Sequence, residues 1–178
     1  MTKTNQFVFR ALQVIAWIIF VGLCIEAGAL LVNFFISLFR PEFISRLYQK
    51  LDLSEMYERS RWTFFSMYSY ILVISILKAY LFYVVIRLQY KLDILNPFTK
   101  LVSNEIFRIS YYTAAIGLLS FMARETTRIL SNRGYEVDGL DNFWADSQAF
   151  ILMAAIVYII AIIIKRGIEI QSENELTV

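Results

Sequence analysis

The sequence has 178 residues, 58% of them hydrophobic, and a mean hydropathy of +0.57, whereas soluble domains usually contain about 45–50% apolar residues. It contains no histidine and a single cysteine, Cys24, which excludes His-dependent catalysis, Cys- or His-based metal sites and an intramolecular disulfide. A net charge of +2 without a dense basic patch argues against direct nucleic-acid binding. We therefore predict a membrane protein that is not an enzyme and that has no catalytic residues, no cofactor and no metal site.

Four apolar segments follow one another along the chain, and each is long enough to cross a hydrocarbon core of about 30 Å. The first helix is expected to end before Pro41, because proline disfavours helical backbone at the residue before it. The third is expected to start with Asn96 as N-cap and Pro97 in the first helical position, and to stop before Gly134. The predicted helices cover about residues 5–39, 61–90, 97–132 and 147–172. The fold class is therefore all-α, a single-domain integral membrane protein (residues 1–178) built as an antiparallel four-helix bundle.

The segment after the first helix, at about residues 42–52, is predicted to form a short helix on the membrane surface. Its basic residues Arg46 and Lys50 fall on one helical face. The apolar residues on another face are Phe43, Ile44, Leu47, Tyr48 and Leu51. Separate apolar and basic faces of this kind are typical of interfacial helices.

Two charged residues, Glu26 and Lys78, interrupt the first and second apolar segments. A charge in hydrocarbon costs several kcal/mol, so such residues normally face a bundle interior or a water-filled cavity. Asn33, Ser75 and Tyr68 are predicted to complete the same intramembrane polar cluster. The cluster is consistent with a structural ion pair, with a polar pocket for a proton, ion or small ligand, or with two charges that never meet. We predict that Glu26 and Lys78 pair, directly or through one water, because their depths differ by roughly 7 Å at 1.5 Å per residue.

Two stretches of sequence carry a resemblance to a known family. They are "ILNPFTKLVSNEIFRISYYT", which leads into the third helix, and "RGIEIQSENELTV" at the end of the chain. Both resemble the bacterial four-helix membrane family catalogued as domain-of-unknown-function family 2975, whose members typically end in a Gly-x-Glu-Leu-Gln-x-Glu-Asn-Asp-Leu-Thr-Val-like tail. Ile170 and Glu175 depart mildly from that tail. The matching residues are Asn96, Pro97, Phe98, Thr99, Gly167, Glu169, Gln171, Glu173, Asn174, Leu176, Thr177 and Val178.

The resemblance implies a bacterial inner-membrane location with both termini in the cytoplasm. The sequence alone leaves the orientation open, because the two sides of the predicted bundle hold eight Lys or Arg residues each and the positive-inside rule gives a tie. Genes of the family often lie beside one for a small helix-turn-helix regulator. The resemblance carries no established activity and does not extend to Glu26 or Lys78.

The predicted function is that of a sensing or regulatory partner, which acts through its cytoplasmic segments on a small helix-turn-helix DNA-binding regulator. Other predicted partners are the lipid bilayer and further copies of the chain. The alternative is a small transporter or channel-like subunit with a polar cavity at Glu26 and Lys78. Transport is less favoured, because Tyr158 is the one polar residue in 149–164. The C-terminal segment is either a solvated tail or a docking segment. The predicted docking residues are Asn96, Pro97, Phe98, Glu169, Gln171, Glu173, Asn174, Leu176 and Val178.

Overall fold

A computed structural model describes residues 3–40, 42, 44, 47, 51–92 and 98–175, except for the side chains of residues 3–6, 174 and 175. The described part is helical and contains no strand, which confirms the all-α prediction. A short 3-10 helix, Leu140–Phe143, precedes the last α-helix. The α-helices are α1 (Lys3–Phe39), α2 (Ser54–Arg59), α3 (Arg61–Lys91), α4 (Lys100–Asn132) and α5 (Ser147–Glu175).

Four helical stretches are long and apolar enough to cross a membrane, in agreement with the predicted number of spans. They are Phe7–Phe39, Arg61–Lys91, Lys100–Asn132 and Leu140–Glu173. Large apolar side chains on α1 and α5, such as Ile18 and Ile163, are exposed on the protein surface. Soluble monomers rarely present apolar surfaces of this extent. The chain therefore has the helix pattern of a multi-pass membrane protein.

The long helices pack in chain order, α1 against α3, α3 against α4 and α4 against α5. The α4–α5 contact is the most extensive, and Gly117 shows why. A methyl group built at Gly117 would lie 2.7 Å from Cγ1 and 2.9 Å from the backbone nitrogen of Ile151. The missing side chain lets the two helix backbones approach closely, as small residues do in membrane helix pairs.

The buried core is largest around α2 and the 3-10 helix. Leu53 and Met56 at α2 are fully buried, as are Leu140 and Trp144 at the 3-10 helix. These residues belong to one apolar cluster with Phe64 and its neighbours on α3. We call this end of the molecule the loop end, and the opposite end, where α3 ends, α4 begins and α5 ends, the Glu105 end.

The predicted interfacial helix at 42–52 lies largely outside the described residues. Where it is described, Ile44, Leu47 and Leu51 are buried in the core cluster. The N–H of Leu47 donates to the carbonyl of Leu51 at 3.1 Å, which is the reverse of the direction of a helical bond. Leu47 and Leu51 are therefore not helical, and their side chains pack into the protein core, unlike those of the predicted interfacial helix.

The ends of α4 differ in how well the sequence predicted them. Asn96 and Pro97 lie outside the described residues, and the helix begins only at Lys100, three residues later than predicted. Thr99 is the N-cap, with extended backbone, and its hydroxyl accepts a hydrogen bond from the N–H of Val102 at 3.3 Å. At the other end Gly134 adopts a left-handed φ of 77°, as expected for a helix stop.

Candidate functional site

A buried carboxylate with three basic neighbours marks the Glu105 end. Glu105 is 2% exposed. Its Oε1 atom lies 3.1 Å from Nε of Arg87 and 2.9 Å from Nζ of Lys91, and its Oε2 atom lies 3.7 Å from Nη1 of Arg108. Arg87 and Lys91 are four residues apart, so both project from one face of α3. We call these four residues the Glu105 cluster; it joins the end of α3 to the beginning of α4.

Analysis of the sequence missed the Glu105 cluster. Glu105 lies before the most apolar part of the third helix and among other charged residues, so hydropathy gives no sign that it is buried. The sequence did contain a pattern that predicts the cluster. Arg87 and Lys91 lie four residues apart at the end of the second predicted helix, and Glu105 lies near the beginning of the third. An antiparallel pair of helices would bring these positions to the same level.

The two stretches that carry the family resemblance contact each other. A methyl group at Gly167 on α5 would lie 2.9 Å from Cε1 of Phe98, the residue just before the Thr99 cap. The Phe98 side chain is 45% exposed. Arg166, the residue before Gly167, forms an ion pair with Glu169 at 2.8 Å. Phe98 and Glu169, both predicted docking residues, therefore lie at the same end of the protein.

The remaining predicted docking residues are described only in part. Gln171 and Glu173 are exposed on the last turns of α5. The backbone of Asn174 continues the helix, which ends at Glu175, beyond the predicted residue 172. The residues outside the described ranges are Asn96, Pro97, Leu176 and Val178.

Lys78 forms no direct ion pair with Glu26, so the direct form of the predicted pair is wrong, and the form bridged by one water stays a prediction. The ammonium group of Lys78 donates to the carbonyl oxygen of Phe143 at 3.3 Å and lies 5.9 Å from the ring centre of Phe150. The hydrogen bond and the cation–π contact give the ammonium group partners other than Glu26. The 3-10 helix that ends at Phe143 starts after Gly139, whose φ of 82° turns the chain toward the core.

The predicted intramembrane cluster is divided between different contacts. Tyr68 donates its hydroxyl hydrogen to the carbonyl of Leu30 on α1 at 2.9 Å, whereas Lys78 contacts the 3-10 helix and α5. Ser75 is buried. Glu26 and Asn33 are partly buried, and no ion pair or hydrogen bond joins either side chain to the described residues. The described residues thus do not unite the five into one polar site.

Cavities lie beside α4 at both of its ends. The one at the loop end has a volume of about 510 Å³, and Arg124 beside it donates a hydrogen bond to the carbonyl of Ala145. Its lining residues are Arg124, Thr127, Arg128, Ser131, Asn132, Val137, Asp141 and Ala145. The second, at the Glu105 end, has a volume of about 330 Å³ and includes Lys100 and Lys165. Within the described ranges no group of three or more Cys, Asp or Glu residues is placed to hold a metal ion.

Comparisons with known proteins returned no relative. No family model matches the chain, so the resemblance to the domain-of-unknown-function family gains no support from that comparison and stays a prediction. No curated protein matches it. No solved structure matches it. The functional argument therefore depends on the residues and contacts of this chain.

Proposed function

We propose that the chain is an integral protein of the bacterial inner membrane, with α1, α3, α4 and α5 as four antiparallel spans and both termini in the cytoplasm. The four apolar helices and their exposed apolar faces support insertion. The bond from Tyr68 to Leu30, and that from Nε1 of Trp17 to the hydroxyl of Tyr90 at 3.3 Å, support opposite directions for α1 and α3. The location and the orientation follow only from the resemblance of the two sequence stretches, which no family model matches.

We further propose that it acts as a sensing or regulatory partner and that its Glu105 end binds a small helix-turn-helix DNA-binding regulator. The observation that carries this proposal is the continuation of α5 beyond its apolar segment, as a polar helix from Lys165 to Glu175. Glu173 and Glu169, which is paired with Arg166, lie four residues apart and share one face of that extension. A DNA-binding regulator carries a basic surface, and charge complementarity of this kind selects partners and speeds their encounter.

The contacts of α5 supply a route by which the membrane part would influence the docking surface. Phe98 packs on Gly167, next to the first polar turn of α5, and Phe98 adjoins the N-cap of α4. The Glu105 cluster fixes α4 to α3 close to the same cap. A shift of α3 relative to α4 would therefore move the Phe98 contact and, with it, the polar extension of α5.

Site-specific photo-crosslinking in intact cells tests the proposal. A photoreactive residue at Ile170, which is half exposed on the extension, is expected to capture a DNA-binding regulator that mass spectrometry then identifies. The matched position is Asn142, exposed at the loop end, which should not capture it. If Ile170 yields no such adduct, or if Asn142 yields the same one, the proposed docking surface is wrong.

The transporter alternative has lost its main structural argument. It required Glu26 and Lys78 to line one polar cavity. Lys78 instead contacts Phe143 and Phe150, and neither charged residue lines any of the described cavities beside α4. We therefore favour the regulatory function.

A further inference from the structure

A groove between the beginning of α4 and the end of α5 combines basic and apolar walls. Its cavity of about 330 Å³ falls within the range of roughly 300–1,000 Å³ usual for ligand pockets. The groove is lined by Lys100, Ser103, Asn104, Phe107, Lys165, Ile168 and Glu169. We call it the Lys100–Lys165 groove.

The polar groups of the groove favour an anion. Lys100 and Lys165 are exposed and form no ion pair with the described residues, while the one carboxylate on the wall, Glu169, is paired with Arg166 at 2.8 Å. Ser103 is only 4% exposed, and its hydroxyl makes no hydrogen bond to the described part of the chain. The positive N-terminal end of α4, which starts at Lys100, adds to the attraction.

An aromatic surface extends from the groove along α4 and α5. The ring of Phe107 lies 5.6 Å from that of Tyr158 and 6.3 Å from that of Tyr111. Tyr111 and Tyr158 are 60% and 41% exposed, although both lie within the apolar parts of their helices. An exposed aromatic surface that continues from a basic groove fits an amphipathic ligand with an anionic head and an apolar chain.

The position of the groove along the helices matches a headgroup. Lys165 directly follows the apolar residues 149–164, so its ammonium group lies where a spanning helix meets the polar layer of the membrane. Basic pockets between helices at this level bind anionic lipid headgroups. We propose that the Lys100–Lys165 groove binds the phosphate of an anionic phospholipid, whose acyl chain covers Phe107, Tyr111 and Tyr158.

Native mass spectrometry of the full chain, purified in detergent and freed of lipid, tests this proposal. Phosphatidylglycerol is expected to bind more tightly than phosphatidylcholine with the same acyl chains. The double variant Lys100→Gln/Lys165→Gln should bind phosphatidylglycerol roughly 30-fold more weakly, because each basic residue near an anionic surface contributes about fivefold. Lys100→Arg/Lys165→Arg should retain binding, which separates loss of charge from loss of folding.

The control is Arg128→Gln/Arg133→Gln, which removes the same charge at the loop end and should leave binding unchanged. A further arm adds inorganic phosphate at the lipid concentration. If phosphate displaces the lipid, the groove is a site for a free anion and the lipid proposal fails. Equal binding of the two lipids, or an equal loss in both glutamine variants, also overturns it. This outcome is independent of the crosslinking result at Ile170.

Discussion

The ammonium group of Lys78 lies 3.3 Å from the carbonyl oxygen of Phe143, a residue 65 positions further along the chain. Phe143 ends the 3-10 helix and is buried with Trp144 in the core. The carbonyl of buried Phe143 gains a donor, and the partly buried ammonium of Lys78 gains an acceptor. Each group therefore satisfies the other, and the contact fixes the loop before α5 to the middle of α3.

Replacement of Lys78 by methionine is expected to lower the free energy of unfolding by about 1–3 kcal/mol, the usual cost of a hydrogen bond to a charged group. Glu26→Gln should have little effect, and the double variant should lose the sum of the two within about 0.5 kcal/mol, as for residues that do not interact. Thermal unfolding of the three variants in one detergent measures this. A double variant that recovers stability would instead indicate that Glu26 and Lys78 are coupled.

The sequence predicts α3 almost to the residue, because its apolar segment is long. In the structure Ser60 is the N-cap, and its hydroxyl accepts a hydrogen bond from the N–H of Thr63 at 3.3 Å. It predicts the start of α4 less well, since Asn96 and Thr99 are both good caps. The contact of Phe98 with Gly167 involves α5, and local propensity carries no information about it.

The candidate sites were harder to predict than the helices, for a related reason. Hydropathy identifies Lys78 as a charge that needs a partner, but that partner is a backbone carbonyl, and every residue has one. Hydropathy does not identify Glu105 as a charge that needs a partner, because other charged residues lie close to it in the sequence. Its burial follows from the packing of α3 on α4, which a one-dimensional pattern does not contain.

The close contact at Gly117 predicts that adding a single methyl group at this position lowers the stability of the fold. Gly117→Ala is expected to destabilise the fold by about 1–3 kcal/mol, the usual cost of overpacking, because the backbone of Ile151 cannot move away without shifting α5. The matched control is Gly22→Ala on α1, where nothing lies within 4 Å of the added methyl. There the higher helix propensity of alanine, worth up to about 1 kcal/mol, should stabilise the protein slightly.

Thermal unfolding in detergent again measures the Gly117 and Gly22 variants. Similar changes in both would show that intrinsic propensity outweighs packing at Gly117. A stabilised Gly117→Ala variant would indicate that α4 and α5 are less closely packed than the Ile151 contact requires.

The proposed topology predicts which residues are reached from outside the cell. In a Cys24→Ser background, a cysteine at Asn142 in the loop before α5 should react with a membrane-impermeant thiol reagent in intact cells. A cysteine at Ser172, on the polar extension of α5, should react only after the membrane is opened. Both positions are exposed, so protein burial does not limit either reaction. The opposite pattern of labelling would reverse the proposed orientation.

The Glu105 cluster predicts that replacing the acid lowers the stability of the fold more than replacing one of its basic neighbours. Glu105→Gln removes the shared partner of Arg87, Lys91 and Arg108 and should destabilise the protein by about 1–3 kcal/mol, less than the 3–5 kcal/mol typical of a fully buried pair. The loss is reduced because the three basic side chains are 29–50% exposed and remain partly hydrated. Lys91→Met should cost less, since Arg87 and Arg108 still neutralise the buried carboxylate.

Glu125→Gln, elsewhere on α4, is the control and should change the midpoint of thermal unfolding little. A larger loss for Lys91→Met than for Glu105→Gln would mean that Lys91 stabilises this end through contacts other than Glu105.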